Sequence, residues 1–193
     1  MIPPILRDFP EQFETERLLI RAPLPGDGAE VNAAILESLD RLRPWMEWVD
    51  PVPSVDDTEA NIRQARADFL TRTDLRLHLY EKTTGTFVGA SGMHRIDWRV
   101  PKAEIGYWVR TRYEGQGYVT EAVRGITRFA FETLGMRRIE IRCDANNVRS
   151  ARVAERAGYR LEARLRSEAV TPYGELRDTL IYALLADEWE QGK

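Results

Sequence analysis

The chain has 193 residues, 43% hydrophobic and 31% charged, which is the balance of one globular domain with enough apolar material for a core. A net charge of −3 excludes a global field that would recruit nucleic acid, and no run is long and apolar enough to span a membrane. A single cysteine, Cys143, excludes an internal disulfide and suits a reducing cytoplasm, and the start MIPPILRDFP lacks the basic and apolar regions of a signal peptide.

Residues 1–13 are proline-rich and read as a loose arm ahead of one domain over 14–190. ETERLLIRAP carries Leu18, Leu19 and Ile20 and reads as a first strand. LPGDGAEVNAAILESL places Val31, Ala34, Ile35 and Leu39 at helical spacing after turn residues. RPWMEWVDPVPSV is aromatic and proline-broken, a short helix followed by a loop. DDTEANIRQARADFLTRT predicts a second amphipathic helix whose acidic start suits the positive end of its dipole. LRLHLYEKTTGTFVGASGMHRI reads as two strands around a turn at Thr84 and Gly85.

KAEIGYWVR is a strand rich in aromatic and branched residues. It leads into RYEGQGYVTEA, Arg112 to Ala122, where two glycines stand at the entrance to a helix. That helix continues to Leu134, with Gly135 as its stop. Gly125 inside it costs roughly 1 kcal/mol against alanine, which close packing of the helix on the sheet would explain. RRIEIRCD is a strand, NNVRSARVAERAG a capped helix, and YRLEARLRSEAV with ELRDTLIYALL a closing hairpin. The predicted order is βααβββαβαββ, a mixed α/β (α+β) fold with a mostly antiparallel sheet.

Two readings of the glycine motif stand on the residues alone. It is a tight strand-to-helix turn, or a cradle in which bare backbone and a helix N-terminus meet an anion such as a pyrophosphate. A dinucleotide fingerprint is excluded, because Thr120 stands where the third glycine belongs. No glycine-lysine-serine/threonine run exists for a Walker A loop. A second motif follows the next strand: Asn147, Ser150 and Val153 spaced by three, closed by Gly158-Tyr159, with Asn146 or Asn147 as the N-cap. Both helix N-termini would open on the same edge of one sheet. His78 and His94 lack metal-ligand spacing, so no metal site is expected.

Arg112-x-x-Gly115-x-Gly117 after EIGYWV, followed by Asn147-x-x-Ser150 and Gly158-Tyr159, resembles the Gcn5-related N-acetyltransferase (GNAT) superfamily. ETERLLIRAP, RPWMEWV and RDTLIYALLADEW resemble its ribosomal-protein N-terminal acetyltransferase (RimJ/RimL-type) branch. The resemblance runs from about Glu14 to Trp189.

It implies the acyl-CoA N-acyltransferase fold, a twisted sheet with splayed central strands and helices on both faces, and acetyl-CoA as cosubstrate without a metal. The backbone of Tyr107, Trp108 and Val109 would hold the pantetheine. The N–H groups of Gly115, Gln116, Gly117, Tyr118 and Val119 would hold the pyrophosphate, with Arg112 at its edge, and Asn147 would contact the pantetheine arm from the other side. Val109 would stabilise the oxyanion, Ser150 would protonate the departing thiolate, and Glu104 would be the base. Glu168 is a second base candidate bordering the acceptor side, where Trp45, Trp48 and His94 would meet substrate. Tyr159 reads as core.

The acceptor would be an amine, either a protein N-terminus or a small molecule, and the protein a cytoplasmic monomer or homodimer without nucleic-acid or membrane partners. A neutral nitrogen must attack, which an α-amino group of pKa about 7.7–8.0 supplies more readily than a lysine near 10.4. A small-molecule amine acetyltransferase and a non-catalytic acyl-CoA sensor are the alternatives.

Overall fold

A computed structural model describes residues 2–191. Eight strands form one sheet in the order β1-β2-β3-β4-β5-β6-β8-β7. They are β1 (Gln12–Glu14), β2 (Leu18–Arg21), β3 (Leu75–Glu81), β4 (Phe87–Asp97), β5 (Lys102–Val109), β6 (Arg138–Asp144), β7 (Arg160–Val170) and β8 (Leu176–Leu185). Five helices accompany them: α1 (Gly28–Leu42), α2 (Val55–Thr71), α3 (Tyr118–Glu132), α4 (Val148–Arg156) and α5 (Ala186–Gln191). The mixed, mostly antiparallel sheet agrees with the sequence reading.

Each face of the sheet is covered. Ala122, Val123, Ile126 and Phe129 of α3 pack with Leu77, Met93, Ile105 and Ile139 of the strands in the larger core. Val31 and Ile35 of α1 and Ile62 of α2 pack with Phe87 and Ala90 in a second cluster, to which Trp108 adds its ring. Ser54 caps α2 through a capping box, its Oγ accepting from the Asp57 N–H at 3.1 Å while Asp57 reaches back to the Ser54 N–H.

The sheet opens in the middle. β5 and β6 pair in parallel only from Lys102↔Arg138 to Glu104↔Glu140. Beyond Glu104, β5 stays on β4 as far as Gly89↔Val109, and β6 stays on β8 as far as Asp144↔Thr179. The two strands therefore diverge into a wedge whose mouth lies beside the N-termini of α3 and α4.

Two details differ from the sequence reading. The N-terminal segment is not loose: β1 pairs with β2, Phe9 meets Phe69 and Phe129 edge-on at 6.0 Å, and Phe13 stacks on Phe129 at 4.6 Å. Three aromatic contacts outweigh the extended bias that prolines give the segment. A short helix, α5, also follows β8, where acidic residues at its start satisfy the first turn: Glu188 accepts from the Leu185 N–H at 3.1 Å. Gly125 has the expected explanation, since a Cβ there would stand 2.5 Å from the Thr15 methyl group. Among the described residues, no helix is long and apolar enough to cross a membrane.

Candidate active site

β5 ends in a 3-10 turn over Thr111–Tyr113, and the chain then passes Gly115 at φ +73° and Gly117 at φ +83° into α3. Left-handed backbone at both points is what the glycines supply. In α3 the Glu121 N–H is the first that reaches a carbonyl, that of Gly117 at 3.0 Å. The N–H groups ahead of it are the open donors every helix start leaves.

Side chains brace this loop from outside. Arg112 donates to Glu37 of α1, Nε to Oε1 at 2.9 Å and Nη2 to Oε2 at 2.5 Å, and Arg110 Nε meets the same carboxylate at 2.8 Å. The Arg112 hydrogen bonds, joined by Arg110, hold the Glu37 carboxyl down at about 2. Arg112, expected at a pyrophosphate edge, is thus engaged as a brace, while remaining half exposed. Gln116 donates from its amide to the Arg112 carbonyl at 2.7 Å. Arg17 completes the frame: it donates to the Gln116 carbonyl at 3.0 Å, pairs with Glu121 at 2.6 Å, and lies 4.2 Å over the Tyr118 ring. The sequence reading passed over Arg17 because a basic residue in a strand-start motif looks like ordinary surface.

The wedge has backbone donors on one wall. The Arg110 N–H goes to the Val88 carbonyl at 2.8 Å, on the β4 side. Strand alternation then turns the backbone groups of Trp108 and Gly106 toward β4, and those of Val109 and Tyr107 toward the gap left by β6. Trp108 contributes its ring, on the α1/α2 face, rather than its N–H.

On the other wall Asn147 caps α4, its Oδ1 accepting from the Ser150 N–H at 3.1 Å. The Tyr107 hydroxyl lies 3.0 Å from both the Oγ and the carbonyl oxygen of Ser150, closing the wedge from β5 to α4. Burial pushes the Tyr107 hydroxyl well above its usual range, although the Ser150 bond opposes this, so it stays a proton donor. Sequence reading used only the backbone of Tyr107; its hydroxyl contact needs the three-dimensional meeting of β5 and α4. Tyr159 is core, as read, its hydroxyl 2.6 Å from Thr127.

A cavity of about 520 Å³ opens on the α1/α2 face of β5 and is walled by Met46, Trp48, Arg76, His78, His94 and Trp108. Trp48 meets Trp108 at 6.1 Å. Trp45, expected beside it, is 39% exposed and lies outside the lining. His94 Nδ1 sits 2.6 Å from Asp74 Oδ2. Across the strand from His94, Glu104 is drawn to Arg95 at 3.2 Å and to Arg142 at 4.0 Å. Burial raises the Glu104 carboxyl above the ordinary carboxylate range against the pull of both guanidiniums. Glu168 accepts from Arg142 at 2.8 Å and from Thr179 Oγ1 at 2.8 Å, so Arg142 links the two glutamates. Among the described residues, no group of three or more His, Cys, Asp and Glu is placed to hold a metal ion.

Comparison with known proteins agrees with this geometry. The family model described as an acetyltransferase (GNAT) domain matches residues 17–160. YdaF of Bacillus subtilis (strain 168), provisionally named a ribosomal N-acetyltransferase, is 32% identical over 182 residues, covering 92% of this chain and 96% of that protein. The ribosomal-protein-serine acetyltransferase of Escherichia coli (strain K12) is 27% identical over 146 residues, covering 76% and 80%. The solved structure of RimL, a ribosomal L7/L12 α-N-protein acetyltransferase in complex with coenzyme A, shares the fold with TM-score 0.82 at 21% identity, covering 90% and 97%. A chain with this opened sheet, glycine loop and sequence kinship belongs to the GNAT acetyltransferase family and is an N-acetyltransferase.

Proposed function

We propose that the protein transfers the acetyl group of acetyl-CoA to a protein N-terminal α-amino group of the ribosomal-protein type. The observation that carries this is the wedge between β5 and β6: free backbone donors at Tyr107 and Val109, a helix N-terminus at one end and a walled cavity on one face. These residues fit a long, thin anion bearing a thioester. The open N–H groups around Gly115 to Val119 suit a pyrophosphate. A groove of about 770 Å³ continues from Gly117 along α3 past Arg17, Arg124 and Arg128, which suits the further negative charge of the cosubstrate.

Bound there, acetyl-CoA supplies an electrophilic carbonyl. Val109 donates its N–H to the oxygen that gains charge as the amine adds. Ser150 gives a proton to the departing sulfur, and Tyr107, hydrogen-bonded to it, relays a replacement proton from water. The amine approaches over the face that carries His94 and Glu104 in cross-strand register, and one of them accepts its proton. Kinship with the Escherichia coli enzyme and with YdaF supports a ribosomal-protein N-terminus over a lysine. An α-amino group also suits the chemistry, because more of it is neutral near pH 7.

The test follows thiol release from acetyl-CoA with a panel of free N-terminal peptides, polyamines and aminoglycosides. Turnover of peptides alone is expected. Turnover confined to the small amines would redirect the reading to a small-molecule acetyltransferase, coenzyme A binding without any turnover to a sensor, and absence of coenzyme A binding would remove it.

A further inference from the structure

We propose that the His94–Asp74 dyad is the group that takes the proton from the acceptor amine; this rests on the acetyl-transfer reading above. His94 Nδ1 is 2.6 Å from Asp74 Oδ2, and each side chain is about a third exposed at 32% and 31%. A carboxylate accepts and cannot donate, so the neutral imidazole carries its hydrogen on Nδ1 and its lone pair on Nε2.

The Nε2 edge of the ring packs against β5. A Cβ built on Gly106 would lie 3.2 Å from His94 Cδ2 and 3.4 Å from Nε2, so this ring edge rests on the backbone of β5. Register sets His94 opposite Glu104, and the ring leans two residues further along β5 toward the cradle. That edge lies over Gly106, just past the last β5–β6 pair at Glu104, and His94, Gly106 and Tyr107 all line the cavity. Glycine at 106 is what lets the imidazole lie that close, which is the usual reason for a glycine inside a strand.

The surrounding charges favour His94 over the alternatives. Asp74 lies just before β3, Arg76 on β3, Asp57 on α2, Arg95 on β4, Glu104 on β5 and Arg142 on β6. Glu104 is engaged by Arg95 and Arg142, and Arg76 donates to Asn61. His78 repeats the pairing, 3.0 Å from Asp27, but it is 1% exposed and its carboxylate partner also holds Arg21 at 2.7 Å.

The step balances without any further reactant. The amine lone pair forms a bond to the thioester carbonyl carbon, and the nitrogen's proton moves to His94 Nε2. The carbon–sulfur bond breaks with its electron pair on sulfur, which takes the Ser150 proton. The imidazolium gives its proton to water, and water returns one to Ser150 by way of the Tyr107 hydroxyl, so both residues end as they began. Asp74 acts as a positioning residue, holding the ring and its tautomer through the bond to Nδ1.

The probe is thiol release from acetyl-CoA with the peptide amide Ser-Ala-Ala-Tyr. His94→Gln is expected to lower kcat about 100-fold, the lower end of what a positioned base contributes, with the acetyl-CoA KM unchanged. In the wild type, log kcat/KM rises with pH at a slope approaching two, because amine and imidazole must both lose a proton. In His94→Gln the slope falls to one, and in Glu104→Gln it stays at two. Asp74→Asn lowers kcat about tenfold, and Asp74→Glu restores most of it. Ring ¹⁵N spectra of the resting enzyme give a readout free of any acceptor and should show hydrogen on Nδ1 and none on Nε2. A His94→Gln rate within threefold of wild type, an unchanged slope, or an Nε2–H tautomer overturns the proposal. Calorimetric titration with coenzyme A separates the two readings: binding with an unaffected His94→Gln rate defeats the dyad alone, and no binding defeats acetyl transfer itself.

Discussion

The Tyr107 hydroxyl stands 3.0 Å from Ser150 Oγ, joining β5 to the first turn of α4 across the mouth of the wedge. One hydroxyl is held by a second whose own proton is kept on by burial. A donor relay of this kind serves a step in which sulfur departs with negative charge. Ser150→Ala should lower kcat by about 10²-fold, as removal of a general acid does, while coenzyme A affinity changes less than threefold. Tyr107→Phe should cost less, because Ser150 keeps its hydroxyl and loses only its partner. Steady-state thiol release and a coenzyme A titration check both, and an unchanged Ser150→Ala rate removes Ser150 from the chemistry.

The two cradle glycines should respond differently to substitution. Gly117→Val forces a β-branched residue to φ +83° and sets a Cβ 3.4 Å from the Arg17 guanidinium, at the start of α3. The backbone alone costs about 1–2 kcal/mol, and reshaping the turn misdirects the first N–H groups. At least a tenfold loss of coenzyme A affinity is expected. Gly115→Ala meets nothing within 4 Å and carries only the backbone strain of φ +73°, so its loss should be several times smaller. Equal affinities for wild type and Gly117→Val would show that the anion binds elsewhere.

The sequence makes the order of elements legible because each long element repeats at its own period, and it makes the cradle legible because a left-handed turn before a helix demands glycine. Asn147 and Ser150 are legible for the same reason, as residues with a local job at a helix start. Contacts between distant segments are not. Nothing near Arg112 indicates that Glu37, on another helix, takes its charge. Nothing near His94 indicates Asp74, which the β3–β4 register brings alongside. The aromatic anchoring of the N-terminal segment is hidden in the same way, since Phe9 finds its partners only once α2 and α3 have docked.

Asp27 gathers a largely buried polar group that should contribute to acid sensitivity. It bonds His78 at 3.0 Å and Arg21 at 2.7 Å, and Arg21 reaches the Tyr80 hydroxyl at 2.7 Å. Burial alone would raise the Asp27 carboxyl, but hydrogen bonds from His78 and Arg21 win and hold it well below the usual range. Burial lowers His78, so it sits neutral and donates to Asp27. Both shifts have the same consequence. Each group in the fold resists a proton that the unfolded chain accepts, so stability is present above the unfolded pKa values and is lost as pH falls through them. Asp27→Asn should cost about 3 kcal/mol near pH 7, the scale for removing one partner of a buried pair. It should also flatten the decline of stability between pH 5 and 2. Urea unfolding across that range measures both, and a decline as steep as in the wild type would place the acid sensitivity in other carboxylates.

Gly125→Ala sets two effects of known size against each other. Alanine favours the middle of α3 by roughly 1 kcal/mol over glycine. Against this, the new methyl would stand 2.5 Å from Thr15 Cγ2 and 3.6 Å from Ile20 Cδ1. Thr15 cannot turn away freely, because its hydroxyl donates to Glu121 at 2.6 Å and accepts from the Leu18 N–H at 3.2 Å. Overpacking of this kind costs about 1–3 kcal/mol, so the substitution should destabilise by about 1 kcal/mol net. Pairing it with Thr15→Ser, which deletes the clashing methyl and keeps the hydroxyl, should recover the helical gain. Urea unfolding of the single and double variants decides the matter. A single variant more stable than wild type would show that the β1–β2 turn yields to α3 at little cost.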